Sequence, residues 1–117
     1  MRPRKDATVY LCTDKVDFRK SIAGLSVIVE QAMVKNLFDN ALFIFTNKTR
    51  DRIKILYWEK NGFCLWYKVL EKDKFKWPKA SSERTVSLNG EELNWLLDGF
   101  DIWNNIPHQS LQYSIVS

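Results

Sequence analysis

Between Lys48 and Lys79 the chain interleaves bases with rings: Arg50, Arg52, Lys54, Lys68, Lys72, Lys74 and Lys76 alternate with Trp58, Trp66, Phe75 and Trp77. Mixtures of this kind suit nucleic acids. Lysine and arginine neutralise phosphates and release their counterions, and an exposed ring stacks a splayed base for about 1 to 3 kcal/mol. Rings are more often core than surface, so the basic residues carry this reading and the rings only improve it. The charge is also unevenly placed. Residues 1 to 45 hold 7 Lys/Arg against 5 Asp/Glu, residues 46 to 84 hold 11 against 5, and residues 85 to 117 hold none against 4. A basic middle and an acidic end within one small chain imply a two-poled surface, one pole fitted to phosphates. A solvated lysine-rich face would give the same count.

Other chemistries find less support. A metal-dependent nuclease needs two or three carboxylates converging on Mg²⁺. The available acids are Asp14 and Asp17 around a turn, Asp51 in a loop, and Glu91 with Glu92, whose place at a helix start capping already explains. A Ser/His/Asp triad would have to use His108, beside Pro107 in a segment without periodicity. Glycines at 24, 62, 90 and 99 form no phosphate-binding loop. Cys12 and Cys64 form neither a CxxC pair nor a zinc spacing and read as buried thiols. The expectation is therefore a binding protein, not an enzyme, with no cofactor and no metal.

The elements that must position these residues follow from pattern. The chain has 117 residues and 45% hydrophobic content, enough for one self-sufficient core and hardly two. Its longest uncharged apolar runs, such as Ala41 to Phe45, fall far short of the roughly 20 residues of a membrane span. The basic start leads into no apolar stretch of signal-peptide type, which makes the cytoplasm the expected location. Val9 to Cys12 reads as a strand. Asp17 offers an N-cap to a helix over 18–34, whose stripe is Phe18, Ile22, Leu25, Ile28, Val29 and Ala32. Leu42 to Phe45 and Ile53 to Glu59 read as paired strands around a polar loop at 47–51. Arg84 to Ser87 reads as an edge strand. Asn89 and Glu92 then have the spacing of a capping box, with Leu88 and Leu93 as staple and Leu93, Leu96, Leu97 and Phe100 as the stripe of a short helix. Ala80 to Glu83 and everything after Trp103 read as irregular.

The strands 53–59 and 63–72 flank Lys60-Asn61-Gly62, and loop length there decides which side chains share a face. A two-residue Asn61-Gly62 turn would put Ile55 opposite Lys68 and mix charge with apolar groups. A three-residue loop with Gly62 left-handed sets Ile53, Ile55 and Tyr57 against Val69, Tyr67 and Leu65, one wholly apolar face. The second register is the expected one. It places Arg52, Lys54 and Trp58 with Lys68 and Trp66 on the other face, Lys54 directly across from Lys68. Two ammonium groups so paired ask for an anionic partner, unless a covering helix leaves their stems to snorkel at its rim.

Several stretches resemble a known family. Tyr10-Leu11-Cys12-Thr13 and Val16-Asp17-Phe18-Arg19-Lys20-Ser21-Ile22, then Leu42-Phe43-Ile44-Phe45, Asn47-Lys48, Asp51 to Trp58, Gly62 to Lys68, Leu70-Glu71-Lys72 and Phe75-Lys76-Trp77-Pro78 are similar to the small accessory protein, TnpB or Orf2, of insertion sequences of the sixty-six family. Leu93, Trp95, Leu96, Leu97, Gly99 and Phe100 continue the likeness, which spans about residues 8 to 103. The RNA-guided nucleases that share the TnpB label are a different family. The resemblance implies a non-catalytic protein needed for transposition, encoded beside a separate transposase that carries the metal-binding carboxylates. Two departures stand out: Thr49-Arg50 precedes Asp51 where the family pattern has a glycine, and Lys15 and Ser21 replace small or turn residues.

The sequence thus predicts a single α+β domain over 1–103, a mostly antiparallel sheet with one long helix on a face and a short C-terminal helix, followed by an irregular tail over 104–117. It predicts DNA contact through Arg50, Arg52, Lys54, Lys68, Lys72 and Lys76, with Trp58 or Trp66 available to stack. The competing expectation is a module that docks on the transposase through the same aromatic surface without touching DNA.

Overall fold

The structure, a computed structural model, describes residues 2–79 and 83–103. The expected tail over 104–117, with His108, and the loop residues 80–82 lie outside the described residues.

Five strands form one sheet in the order β4-β3-β2-β1-β5. β1 (Thr8–Cys12) pairs in parallel with β2 (Ala41–Thr46), and every other neighbour is antiparallel: β2 with β3 (Arg52–Glu59), β3 with β4 (Gly62–Val69), and β1 with β5 (Thr85–Asn89). The parallel pair requires a crossover, supplied by the helical segment between β1 and β2. The mostly antiparallel α+β class expected from the pattern is the observed one.

The helix is shorter than its stripe suggested. α1 covers Ile22–Val27 and widens into one π-helical turn over Ile28–Ala32. The β-branched run Val27-Ile28-Val29 is a poor helix former, and the segment ends with Val34 left-handed at φ 56, where the Lys35 amide reaches back to the Val29 carbonyl at 3.0 Å. Its N-cap is Ser21, which makes no side-chain capping bond. Asp17 folds onto its own turn instead, accepting from the Arg19 amide at 2.9 Å. Local hydrogen bonding by an Asp side chain competes with helix initiation, and here it wins.

The second helix, α2 (Gly90–Leu97), forms as its signals dictate. Asn89 and Glu92 exchange both capping-box hydrogen bonds, and Gly99 at φ 93 closes the helix while Phe100 donates its amide to Trp95. Leu93, Leu96 and Leu97 are buried as expected, but Phe100 is 61% exposed because it lies past that cap, not in the stripe. The N-terminal segment runs against α2. A Cβ on Gly90 would sit 1.6 Å from the Arg4 carbonyl oxygen, so only glycine admits this approach. Asn94 donates to Pro3, and Arg2 pairs with Asp98 at 2.6 Å.

Both faces of the sheet are covered. Leu25, Val29, Met33 and Leu37 pack on Cys12, Phe43, Phe45 and Leu56 on one side. On the other, α2 and the segment bearing Phe75 and Trp77 pack on Val9, Leu11, Ile44, Ile53 and Ile55. Phe75 is fully buried, and Trp77 anchors its indole Nε1 on the Cys12 carbonyl at 3.0 Å.

The β3–β4 register corrects the expectation. Glu59 faces Gly62, Trp58 faces Phe63, Ile55 faces Trp66 and Ile53 faces Lys68. The loop is Lys60-Asn61, and the left-handed residue is Lys60 (φ 54), not Gly62. This shift by one residue turns every β4 side chain to the opposite side. The sequence argument sought one apolar face, yet both faces of this hairpin are only partly covered at β4, which has no fully buried residue, so neither needed to be purely apolar.

Candidate nucleic-acid interface

In the observed register Lys54 lies across from Tyr67, and the expected Lys54–Lys68 pair does not exist. The two lysines point to opposite faces. Lys54 is 7% exposed beneath the chain that precedes α1; its Nζ donates to the Phe18 carbonyl at 2.9 Å and the Lys20 carbonyl at 3.2 Å, and lies 4.9 Å from the centre of the Phe18 ring. Lys68 donates its Nζ to the Leu97 carbonyl at 2.9 Å. That carbonyl ends α2, where a cation also complements the helix dipole.

The two tryptophans separate in the same way. Trp66 packs on the core under α2. Trp58 sits on the α1 side with Phe38 and Phe63, ring centres 5.0 Å from each. Lys72 is exposed beyond β4, and Lys76 lies 3.9 Å from Asp73. The eight residues read from the sequence as one surface therefore fall on both faces of the sheet and along the segment that follows it.

Arg52 is where basic charge does gather. It opens β3 on an exposed position and borders a cleft of about 640 Å³ with Lys15, Arg19 and Lys48, against the lone carboxylate of Asp17. Two braced turns form its walls. Val16 donates its amide to the Thr46 carbonyl at 2.9 Å, tying the 15–19 turn to the end of β2. In the 47–51 loop, Asn47 and Thr49 donate to Asp51 at 2.8 and 2.7 Å, and the Arg52 amide donates to the Asn47 side chain at 3.2 Å. These donors hold the Asp51 carboxyl below the usual carboxylate range. Arg19 holds that of Asp17 at about 2 by direct hydrogen bonding. Arg50 sits in the same loop at φ 60, the conformation glycine favours.

Beside the cleft stands a ring that the sequence argument missed. Tyr67 is 45% exposed, accepts a hydrogen bond from Arg52 Nη1 at 3.1 Å, and meets Phe18 edge-on at 6.1 Å. The correct register would have found it, as the residue across from Lys54. Lys15 and Arg19 were missed because they lie outside the basic run in sequence, and Lys48, which opens that run, was not singled out as a contact; Asp17-Phe18-Arg19 and Asn47-Lys48 mark their turns. Two of the other acids are engaged elsewhere: Asp14 lies 3.8 Å from Arg84, and Glu92 caps α2. Burial pushes the Cys12 thiol up, whereas Cys64 is only half-buried. No helix among the described residues is long and apolar enough to cross a membrane.

The chain is similar to the uncharacterized protein y4jC of Sinorhizobium fredii (strain NBRC 101917 / NGR234), 28% identical over 110 residues that cover 94% of this chain and 92% of that one. It is also similar to the uncharacterized protein y4hO of the same strain, 27% identical over 97 residues covering 83% and 84%. No solved structure matches it. Residues 7–106 match the family described as IS66 Orf2-like protein. That span takes in all five strands and α2 together with the cleft, and the chain belongs to this insertion-sequence family.

Proposed function

We propose that this chain is a non-catalytic accessory factor required for transposition, acting in the cytoplasm, and that it binds element DNA along the cleft between the 15–19 turn and the 47–52 loop. The observation that carries the reading is the convergence of Lys15, Arg19, Lys48 and Arg52 on one braced concavity. Focused positive potential of this kind attracts a phosphate backbone and accelerates its encounter. Arg50 and Lys72 extend the contact. Lys54 and Lys68 serve the fold, since their amines already rest on backbone carbonyls. Binding titrations against rising salt test it: about three or four phosphate contacts give a log–log slope near −3, at −0.9 per contact. Lys48→Glu with Arg52→Glu lowers affinity at least tenfold and flattens the slope by about 2. A slope near zero in the unaltered protein ends the reading.

A second reading rests on Phe38, Trp58 and Phe63, three mutually packed rings of which Phe38 is 60% exposed. Partly exposed aromatic clusters make good anchors for a protein partner, here the separate transposase. Nuclease-resistant co-purification that is lost on Phe38→Ala favours it.

A further inference from the structure

We infer that Tyr67 is a stacking platform for an unpaired base, so that the cleft takes a single strand of DNA in preference to a closed duplex. The inference rests on the DNA-binding reading and narrows it. Tyr67 is fixed on three sides. Arg52 donates to its hydroxyl at 3.1 Å, Phe18 abuts it at an interplanar angle of 79°, and the Lys54 ammonium lies 5.6 Å from the ring centre. Yet the side chain remains 45% exposed. It stands on β4, an edge strand of the sheet, and among the described residues no further strand pairs beside it.

A ring held this way loses little conformational freedom when a base settles on it. The arginine that holds it is also a wall of the cationic cleft. A strand whose phosphates follow Lys15, Lys48 and Arg52 therefore brings its bases toward the ring, the pairing of basic groove and aromatic platform that single-strand binders use. A base inside a duplex is already stacked on both sides and cannot use such a platform unless it is extruded.

The test compares an oligo-dT strand carrying a single 2-aminopurine with a duplex of the same length, at fixed salt. Binding of the strand quenches 2-aminopurine fluorescence and is tighter than binding of the duplex. Tyr67→Leu, which keeps apolar bulk but removes the ring, weakens strand binding roughly tenfold or more and weakens duplex binding by a much smaller factor, through the lost Arg52 contact alone. Tyr67→Phe keeps the ring and stays close to the unaltered protein. Circular dichroism confirms that both variants fold. Salt-dependent binding that is equal for strand and duplex, or indifferent to Tyr67→Leu, overturns the stacking inference and leaves the basic-cleft reading standing. Absence of binding to either form overturns both.

Discussion

The β3–β4 hairpin has two unlike ends on its α1 side. At one, Arg52 and Tyr67 join Lys15, Arg19 and Lys48 around a cleft. At the other, six residues along β3 and about 20 Å away, Trp58 meets Phe63 and Phe38. The aromatic end is held by apolar burial, which favours folding directly. The basic end gathers like charges, which opposes folding, and is braced by hydrogen bonds from Asn47 and Thr49 to Asp51. Packing accounts for Trp58 and Phe63 at the first end, though not for Phe38, which stays 60% exposed. It gives no reason for Lys15 and Lys48 to face the same space, so a role outside the fold is the natural account of the second.

The sharpest way to break this contrast is to remove Trp58. Trp58→Ala should cost about 2 to 3 kcal/mol in urea unfolding, below the range for a fully buried tryptophan because the side chain is only half-buried, while DNA affinity stays unchanged. A matching loss of affinity in a folded variant would join the two ends into one site. Arg50→Gly separates charge from backbone at the basic end. Relieving φ 60 should raise stability by about 0.5 to 1 kcal/mol after glycine's entropic cost, and the lost cation should weaken DNA binding slightly; a destabilised variant would show that the arginine side chain packs.

The smallest effect is a titration. The Asp17 carboxyl is held at about 2, beneath its ordinary 3.8. A depressed folded value means that its contribution is complete above pH 3.8 and disappears as pH falls through about 2. Carboxyl NMR should place the midpoint there, and Arg19→Gln should return it toward the ordinary value. A midpoint already near 3.8 in the unaltered protein would mean the Asp17–Arg19 contact does not persist in solution.

What the sequence made legible depended on how local each signal was. The capping box of Asn89 and Glu92 needs four consecutive residues and was read correctly. Strand existence in the 42–59 region was equally plain. The β3–β4 register was not, because it turned on whether Lys60 or Gly62 took the left-handed position, and a lysine at φ 54 runs against the usual preference. That one-residue error moved Lys68 and Trp66 to the wrong face and hid Tyr67. The cleft was illegible for a different reason: Lys15 and Arg19 come from before α1 and Lys48 from after β2, and only the crossover brings them together.

That crossover also orders assembly. β2, β3 and β4 form a consecutive meander whose partners lie close along the chain. β1 leaves the ribosome first, yet its second neighbour is β5, with Cys12 waiting for Thr85. Loop-closure entropy makes such distant pairing slow. A nascent chain should therefore carry a finished three-stranded unit while the opening segment still lacks one flank, and a polypeptide arrested shortly before residue 85 would expose that raw edge to any neighbour able to lend a strand.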